Sequence, residues 1–303
     1  VSLIPFLDDW GGVDGAIDMW STNQQFLDIL AGDYEEHAAL LMSYLIFLEN
    51  SYPSNNPASM FLVFANAALS GEVVYVMRKQ QSSGGLLFWD ASTGIGYSLE
   101  DENCPLQDIS CLVTSENIYA NIQEECILQA LDFNINNENS WRSFFSKKSP
   151  CSKAPFPSIQ ESPLSYTSPS QEIADELQDE VADSIKREMR GWRRCTTCFK
   201  SDVSNRLNIV LERLECCKRN GDTFDHNEFA SLVHSVSLNR KITGAPIHCS
   251  FMDVNDIVAR VKRMCVHEAK HPDVEFALAV RVFPYHSNIF SVWIFVCAIS
   301  PTV

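Results

Sequence analysis

A chain of 303 residues with 46% hydrophobic content can bury a sizeable core, which excludes a disordered polymer. Its net charge of −16 is unevenly held: residues 1–145 carry 3 Lys/Arg against 20 Asp/Glu, whereas residues 146–303 carry 20 against 19. The acidic half disfavours nucleic acid and anionic lipid as partners, and the longest apolar stretches, Leu40 to Leu48 and Val292 to Ile299, fall far short of the roughly 20 residues that span a bilayer. Eleven cysteines, an odd and irregularly spaced set, read as reduced thiols rather than a disulfide framework. Val1 opens no basic, signal-like segment, and the lack of an initiator methionine leads us to expect a piece of a longer protein.

Taken in chain order, Ser21-Thr22-Asn23-Gln24-Gln25 offers overlapping capping-box signals ahead of Phe26, Leu27, Ile29 and Leu30, predicting a short helix that ends near Gly32. Gly32-Asp33-Tyr34-Glu35-Glu36-His37-Ala38 then leads into an apolar run through Ile46, predicting a buried helix to about Glu49. This start resembles the nucleophile helix of transglutaminase-like and papain-like thiol enzymes. Such enzymes place a cysteine in the first turn, where the helix dipole and a partner histidine populate the thiolate. Tyr34 stands at that position, and a phenol cannot replace the thiol. His37, Glu35 and Glu36 read as structural, the two acids complementing the helix dipole.

After the polar, proline-broken loop Asn50–Pro57, β-rich runs at Met60–Ala65, Val73–Lys79 and Leu86–Trp89 predict antiparallel strands, with further short strands around Cys111–Val113 and Ile118–Ile122. The fold class is therefore α+β, with a helix on an antiparallel sheet. From Ser146 to Glu172 five prolines lie among serines and lysines, which reads as a linker or surface loop. Ile173, Leu177, Val181, Ile185, Met189 and Trp192 then mark one helical face. Val203, Leu207, Val210, Leu211 and Leu214 mark a second, and Val254, Ile257, Val258 and Val261 a third. Two strongly apolar strands, Val274–Phe283 and Ser291–Ile299, close the chain as a hairpin. A two-stranded ribbon is marginal alone, so the hairpin is expected to join the first sheet. The expected organisation is a core over 1–145, a linker over 146–172, an inserted helical segment over 173–266, and a hairpin over 267–303 packing on that core.

A transglutaminase-like site also needs a histidine on a following strand and an aspartate on the next. Val73-Val74-Tyr75-Val76 resembles the first strand start with Val73 at the histidine position, and Trp89-Asp90 resembles the second with Asp90 retained. Two of the three groups are absent. We therefore read a pseudoenzyme with no catalytic residues, in which Asp90 holds the turn to Gly94 and the old cleft, bordered by Tyr34, Tyr75, Trp89 and Asp90, accepts an extended peptide. The alternative is an active cysteine-dependent hydrolase or transferase using a non-standard thiol, Cys104 or Cys126.

His267-Glu268-Ala269-Lys270-His271 matches the zinc-protease pattern His-Glu-x-x-His, but Pro272 disfavours helix at His271 and Lys270 is charged where the helix would be buried. Cys195, Cys198, Cys216 and Cys217 lack the usual knuckle spacing. No phosphate-binding glycine loop is present, so no cofactor or metal is expected.

A resemblance covers about 1–145 and 243–299. Trp20-Ser21-Thr22, Gln25-Phe26-Leu27, Gly32-Asp33, Glu35-Glu36-His37-Ala38, Trp89-Asp90 and Asn117 through Gln123 resemble the C-terminal region of the ciliary coiled-coil and C2 domain-containing protein 2 family, 2A/2B type, with Asn50–Pro57 as an insertion. The tail, Pro272 through Val280, Phe283-Pro284-Tyr285 and Ser291 through Ile294, agrees. The resemblance implies a degenerate transglutaminase-like domain in a scaffold of the ciliary transition zone. It implies a cytoplasmic place at the cilium base, a role in cilium assembly and gating, and partners among Meckel-syndrome-type transition-zone components.

Overall fold

The computed structural model describes residues 1–8, 11–12, 15–16, 19–53, 56–125, 127–146, 149, 160, 163–193, 196–222, 229–233, 240–271 and 273–301. Most of the 146–172 linker, Cys126, Cys195 and Pro272 lie outside them. The chain divides into two units, Val1–Ser165 and Tyr166–Val303.

In the first unit, the short pair β1 (Gly11–Gly12) and β2 (Gly15–Ala16) precedes α1 (Asn23–Ile29) and α2 (Tyr34–Ser51). Then come β3 (Ala58–Ala67), β4 (Gly71–Gln80), β5 (Leu86–Asp90), β6 (Ile95–Ser98), β7 (Leu106–Val113), β8 (Ile118–Asn121) and β9 (Trp141–Ser143). The last seven form one antiparallel sheet in the order β6-β5-β4-β3-β7-β8-β9. Alternation along the central strands sends side chains to opposite faces. Met60, Val74 and Val76 meet Ala38 and Met42 of α2 on one face. Phe61, Val63, Tyr75, Met77 and Phe88 meet Leu128, Leu131, Phe133 and Trp141 on the other. Each large side chain so buried contributes roughly 1.5–3 kcal/mol. The central strands are thus apolar on both sides, although the sheet is antiparallel.

The second unit contains α3 (Gln171–Trp192), α4 (Ser201–Asn220), β10 (Arg240–Ser250), α5 (Val254–Arg263), β11 (Glu275–Pro284) and β12 (Phe290–Pro301). β12 is the middle strand of the order β10-β12-β11, and its ten residues Phe290–Ile299 are all buried. Helices α3 and α5 cover one face through Leu177, Val181, Ile185, Met189, Ile257 and Val261. Helix α4 covers the other through Val203, Leu207, Val210 and Leu211, against Trp293, Phe295 and Cys297.

The hairpin therefore does not join the first sheet. It pairs with β10, a third strand inside the stretch expected to be helical, and with it makes a sheet of its own. The demand for a further strand was real; what supplies it is an edge strand too polar to read from pattern. Gly244 and Pro246 weaken the strand signal, yet both fit. The Phe251 N–H donates to the Phe290 carbonyl, so in this register the odd-numbered residues of β10 bond to β12 and the nitrogen of Pro246 faces away. A Cβ on Gly244 would stand 2.6 Å from the Cys297 Cβ and 2.7 Å from its Cα. Gly244→Ala is expected to cost about 1–3 kcal/mol through this overpacking, read as a lowered denaturation midpoint.

Candidate functional site

The start of α2 is locked by its own sequence. The Asp33 carboxylate accepts from the Glu35 N–H at 3.1 Å, and Glu36 Oε2 accepts from the Asp33 N–H at 3.2 Å, a capping box that satisfies donors the helix leaves open. Glu36 Oε1 also accepts from the Ser21 N–H at 2.7 Å, so the same carboxylate reaches the segment entering α1. Burial pushes the Asp33 carboxyl up to about 6, and burial with the neighbouring Asp33 raises Glu36. His37 is fully buried, with Nδ1 2.6 Å from the Asp33 carbonyl and Nε2 2.9 Å from the Ile4 carbonyl. Burial lowers its pKa, while the two carbonyls pull the other way. Both nitrogens face backbone oxygens, and the neutral ring donates to one of them at a time. His37 is a staple between helix start and N-terminal segment, as its structural reading requires.

Tyr34, the first residue of α2, packs its ring 4.6 Å from that of Phe6 and touches apolar groups on both faces of the sheet. Val73 is buried at 4% exposure on β4, on the same face as Tyr75. The Tyr75 hydroxyl donates to Asp90 Oδ2 at 3.4 Å, and burial, followed by the Asp90 charge, raises the phenol above its ordinary value. Asp90 Oδ1 accepts from the Ser92 N–H at 2.9 Å, the Ser92 hydroxyl at 2.7 Å and the Thr93 N–H at 3.2 Å. The Gly94 N–H closes the turn onto the Asp90 carbonyl at 2.8 Å, with Gly94 at φ +78, a conformation suited to glycine. The one retained acid is thus consumed by a turn and a tyrosine. Trp89 faces the opposite side of the sheet, toward α2. The four residues read as one peptide cleft are therefore divided by the strand alternation, and Tyr75 and Asp90, at 3% and 8% exposure, are closed from solvent.

A larger polar centre lies in the second unit, and sequence reading passed over it. Glu215, 3% exposed, accepts from the Tyr285 hydroxyl, from the Ser291 hydroxyl at 2.9 Å and from Trp293 Nε1 at 2.6 Å. Ser291 Oγ lies 2.9 Å from His248 Nε2, and Lys218 Nζ lies 3.0 Å from His248 Nδ1. An ammonium only donates, so Nδ1 accepts and Nε2 carries the proton, which runs a directed chain from Lys218 through His248 and Ser291 to Glu215. Burial, then Lys218, pushes His248 down to about 4, consistent with a neutral ring. This is not a nucleophile arrangement: the Ser291 proton points at a carboxylate, and the side chain is fully buried. The available signal was position, since Glu215 falls four residues after Leu211 on the apolar face of α4.

Residues 18–144 match the family described as CEP76 peptidase-like domain, and residues 166–300 match the Centrosomal protein of 76 kDa C-terminal domain. Human Protein CC2D2B is 28% identical over 99% of the chain, and Coiled-coil and C2 domain-containing protein 2A of Drosophila melanogaster is 26% identical over 100%. The chain is thus similar, over its whole length, to part of the coiled-coil and C2 domain-containing protein 2 family. It spans 20% and 22% of the length of those two relatives. Mouse Centrosomal protein of 76 kDa is 25% identical over 94% of the chain, which covers 45% of that protein.

Among the described residues, the remaining motifs bring no set of metal-ligating side chains together. Helix α5 ends at Arg263, Cys265 turns into the left-handed region at φ +54, and only a short 3-10 turn, Val266–Glu268, follows. His267, packed 4.9 Å from Trp192, and the exposed His271 therefore share no helical face. Cys198 and Cys216 are exposed while Cys217 is buried, and Cys195 lies outside the described residues. Burial pushes the Cys104 thiol up, away from the thiolate that catalysis would need.

Asp33 is neutral more readily when folded, so its contribution to stability is full below about pH 4 and is lost as pH rises through about 6. His37 acts oppositely, losing stability as pH falls below 6.5. The thermal midpoint of Asp33→Asn, compared with wild type across this window, isolates the first: the variant gains relative to wild type as pH rises. A second expectation concerns Glu215→Leu, which strands the buried donors of Ser291 and Trp293 and the half-buried Tyr285 hydroxyl and should lower the unfolding free energy by ~3 kcal/mol or more in chemical denaturation.

Proposed function

We propose that the first unit is a degenerate transglutaminase-like domain and that the chain serves as a non-catalytic interaction module of a scaffold at the ciliary transition zone, supporting cilium assembly and gating. The carrying observation is the fate of the three catalytic positions. Tyr34 packs on Phe6, Val73 is buried among apolar side chains, and Asp90 is held by Ser92, Thr93 and Tyr75. With thiol and imidazole both absent, acyl transfer has neither nucleophile nor base. The peptidase-like match supports the fold assignment, and the centrosomal names of several relatives support a place near the cilium base. Partners of the Meckel-syndrome type follow from the family resemblance. No helix among the described residues is long and apolar enough to cross a membrane.

Two measurements test this reading. Labelling with a thiol-reactive activity probe at neutral pH should modify cysteines according to exposure alone. Selective labelling of one cysteine, abolished by mutating a single histidine, would reinstate the hydrolase or transferase alternative. In ciliated cells, the full-length protein lacking this chain should recruit fewer transition-zone partners, whereas Val73→Ala should recruit them normally. Normal recruitment without the chain would place the scaffold function in the rest of the protein.

A further inference from the structure

β11 is an edge strand, and the two helices that sandwich it leave a gap along that edge. The Tyr285 N–H donates to the Ile289 carbonyl, so the odd-numbered residues of β11 bond to β12 and the even-numbered ones direct N–H and C=O outward. Most of these outward amides are satisfied. The Phe276 N–H donates to the Cys198 carbonyl at 2.9 Å, the Leu278 N–H to Ser204 Oγ at 3.1 Å, and the Val282 N–H to Gln178 Oε1 at 3.4 Å. The N–H and C=O of Val280, between them, have no partner among the described residues, although Val280 is only 5% exposed. A buried backbone pair left open costs free energy unless something enters to satisfy it.

What faces Val280 is a cavity of about 440 Å³. Ala182, Lys186 and Arg190 of α3 line one wall, and Ser204 and Asn208 of α4 line the other. Asn208 Oδ1 is buried without a donor, a second open group on the same cavity. The walls lie above and below the plane in which a strand added to β11 would run, since α3 and α4 cover opposite faces of the sheet. Near the Phe276 end, Arg190 lies over the ring of Phe199, which itself bridges to Phe276, and Lys186 stands one turn before Arg190. Lys186 also pairs with Asp183 at 3.7 Å, and Asp179 lines the cavity farther along α3, so the positive charge of that end is carried chiefly by Arg190.

We propose that this slot receives an extended, acidic peptide segment of a partner protein, which pairs with Val280 as an added strand and places a carboxylate beside Lys186 and Arg190. Backbone pairing at an open edge gives affinity, and the flanking side chains give selectivity. The slot is separate from the former catalytic positions, so it stands whether or not the first unit has activity.

The test uses the full chain and a phage-displayed library of random heptapeptides. Enriched sequences should be rich in Asp and Glu, and a synthetic peptide from the selection should shift the Val280 amide signal and slow its hydrogen exchange. Ala182→Trp, which fills the slot, should weaken binding by roughly tenfold or more, as should the double change Lys186→Glu with Arg190→Glu. Asn205→Trp, at an exposed position on the α4 wall, supplies the same block if Ala182→Trp fails to fold. The proposal is overturned if no peptide is enriched, or if the selected peptides bind the blocked variants unchanged and leave Val280 exchange untouched.

Discussion

The imidazole of His37, held between two backbone carbonyls, is the constraint on which the first unit's site depends. It joins the first turn of α2 to the Ile4 carbonyl, and the Phe6–Gly32 bridge extends the same attachment. The N-terminal segment is thereby laid against the helix start. Phe6 packs its ring at a tilt against Tyr34 there. A polar staple and an aromatic contact together hold the N-terminal segment on the start of α2.

In the second unit the equivalent role falls to Glu215. A carboxylate so deeply buried persists because a tyrosine, a serine and an indole all donate to it, and because Lys218 and Arg219 stand on the same helix. The network joins α4 to β12 and to the turn after β11. It fixes the helix at a definite register over the sheet, which apolar contacts among Val203, Leu207 and Val210 would leave free to slide.

Much of this was legible in the amino-acid pattern, for identifiable reasons. Thr22 and Asp33 announce both helix starts through their capping boxes, and the apolar faces of α3, α4 and α5 repeat at helical spacing. The turn role of Asp90 was equally readable, since an acid followed by Ser, Thr and Gly is turn chemistry. What escaped was whatever depends on distant neighbours. β10 is half exposed and carries Gly244 and Pro246, so only its pairing with β12 makes it a strand. The division of Trp89 from Tyr75 follows from alternation across two adjacent strands, which a reading of each motif by itself does not combine. Glu215 was hidden because its three donors come from residues seventy or more positions away.

The two edges of the second sheet are finished differently, and the proline in β10 has a consequence for self-association. A strand with a continuous outward row of amides invites another copy of itself, and the result is a growing ribbon. At Pro246 the row is broken, and Arg240 with Lys241 would face their own copies in a parallel, in-register pairing of two such edges. Pairing of one copy with another along β10 is thereby disfavoured.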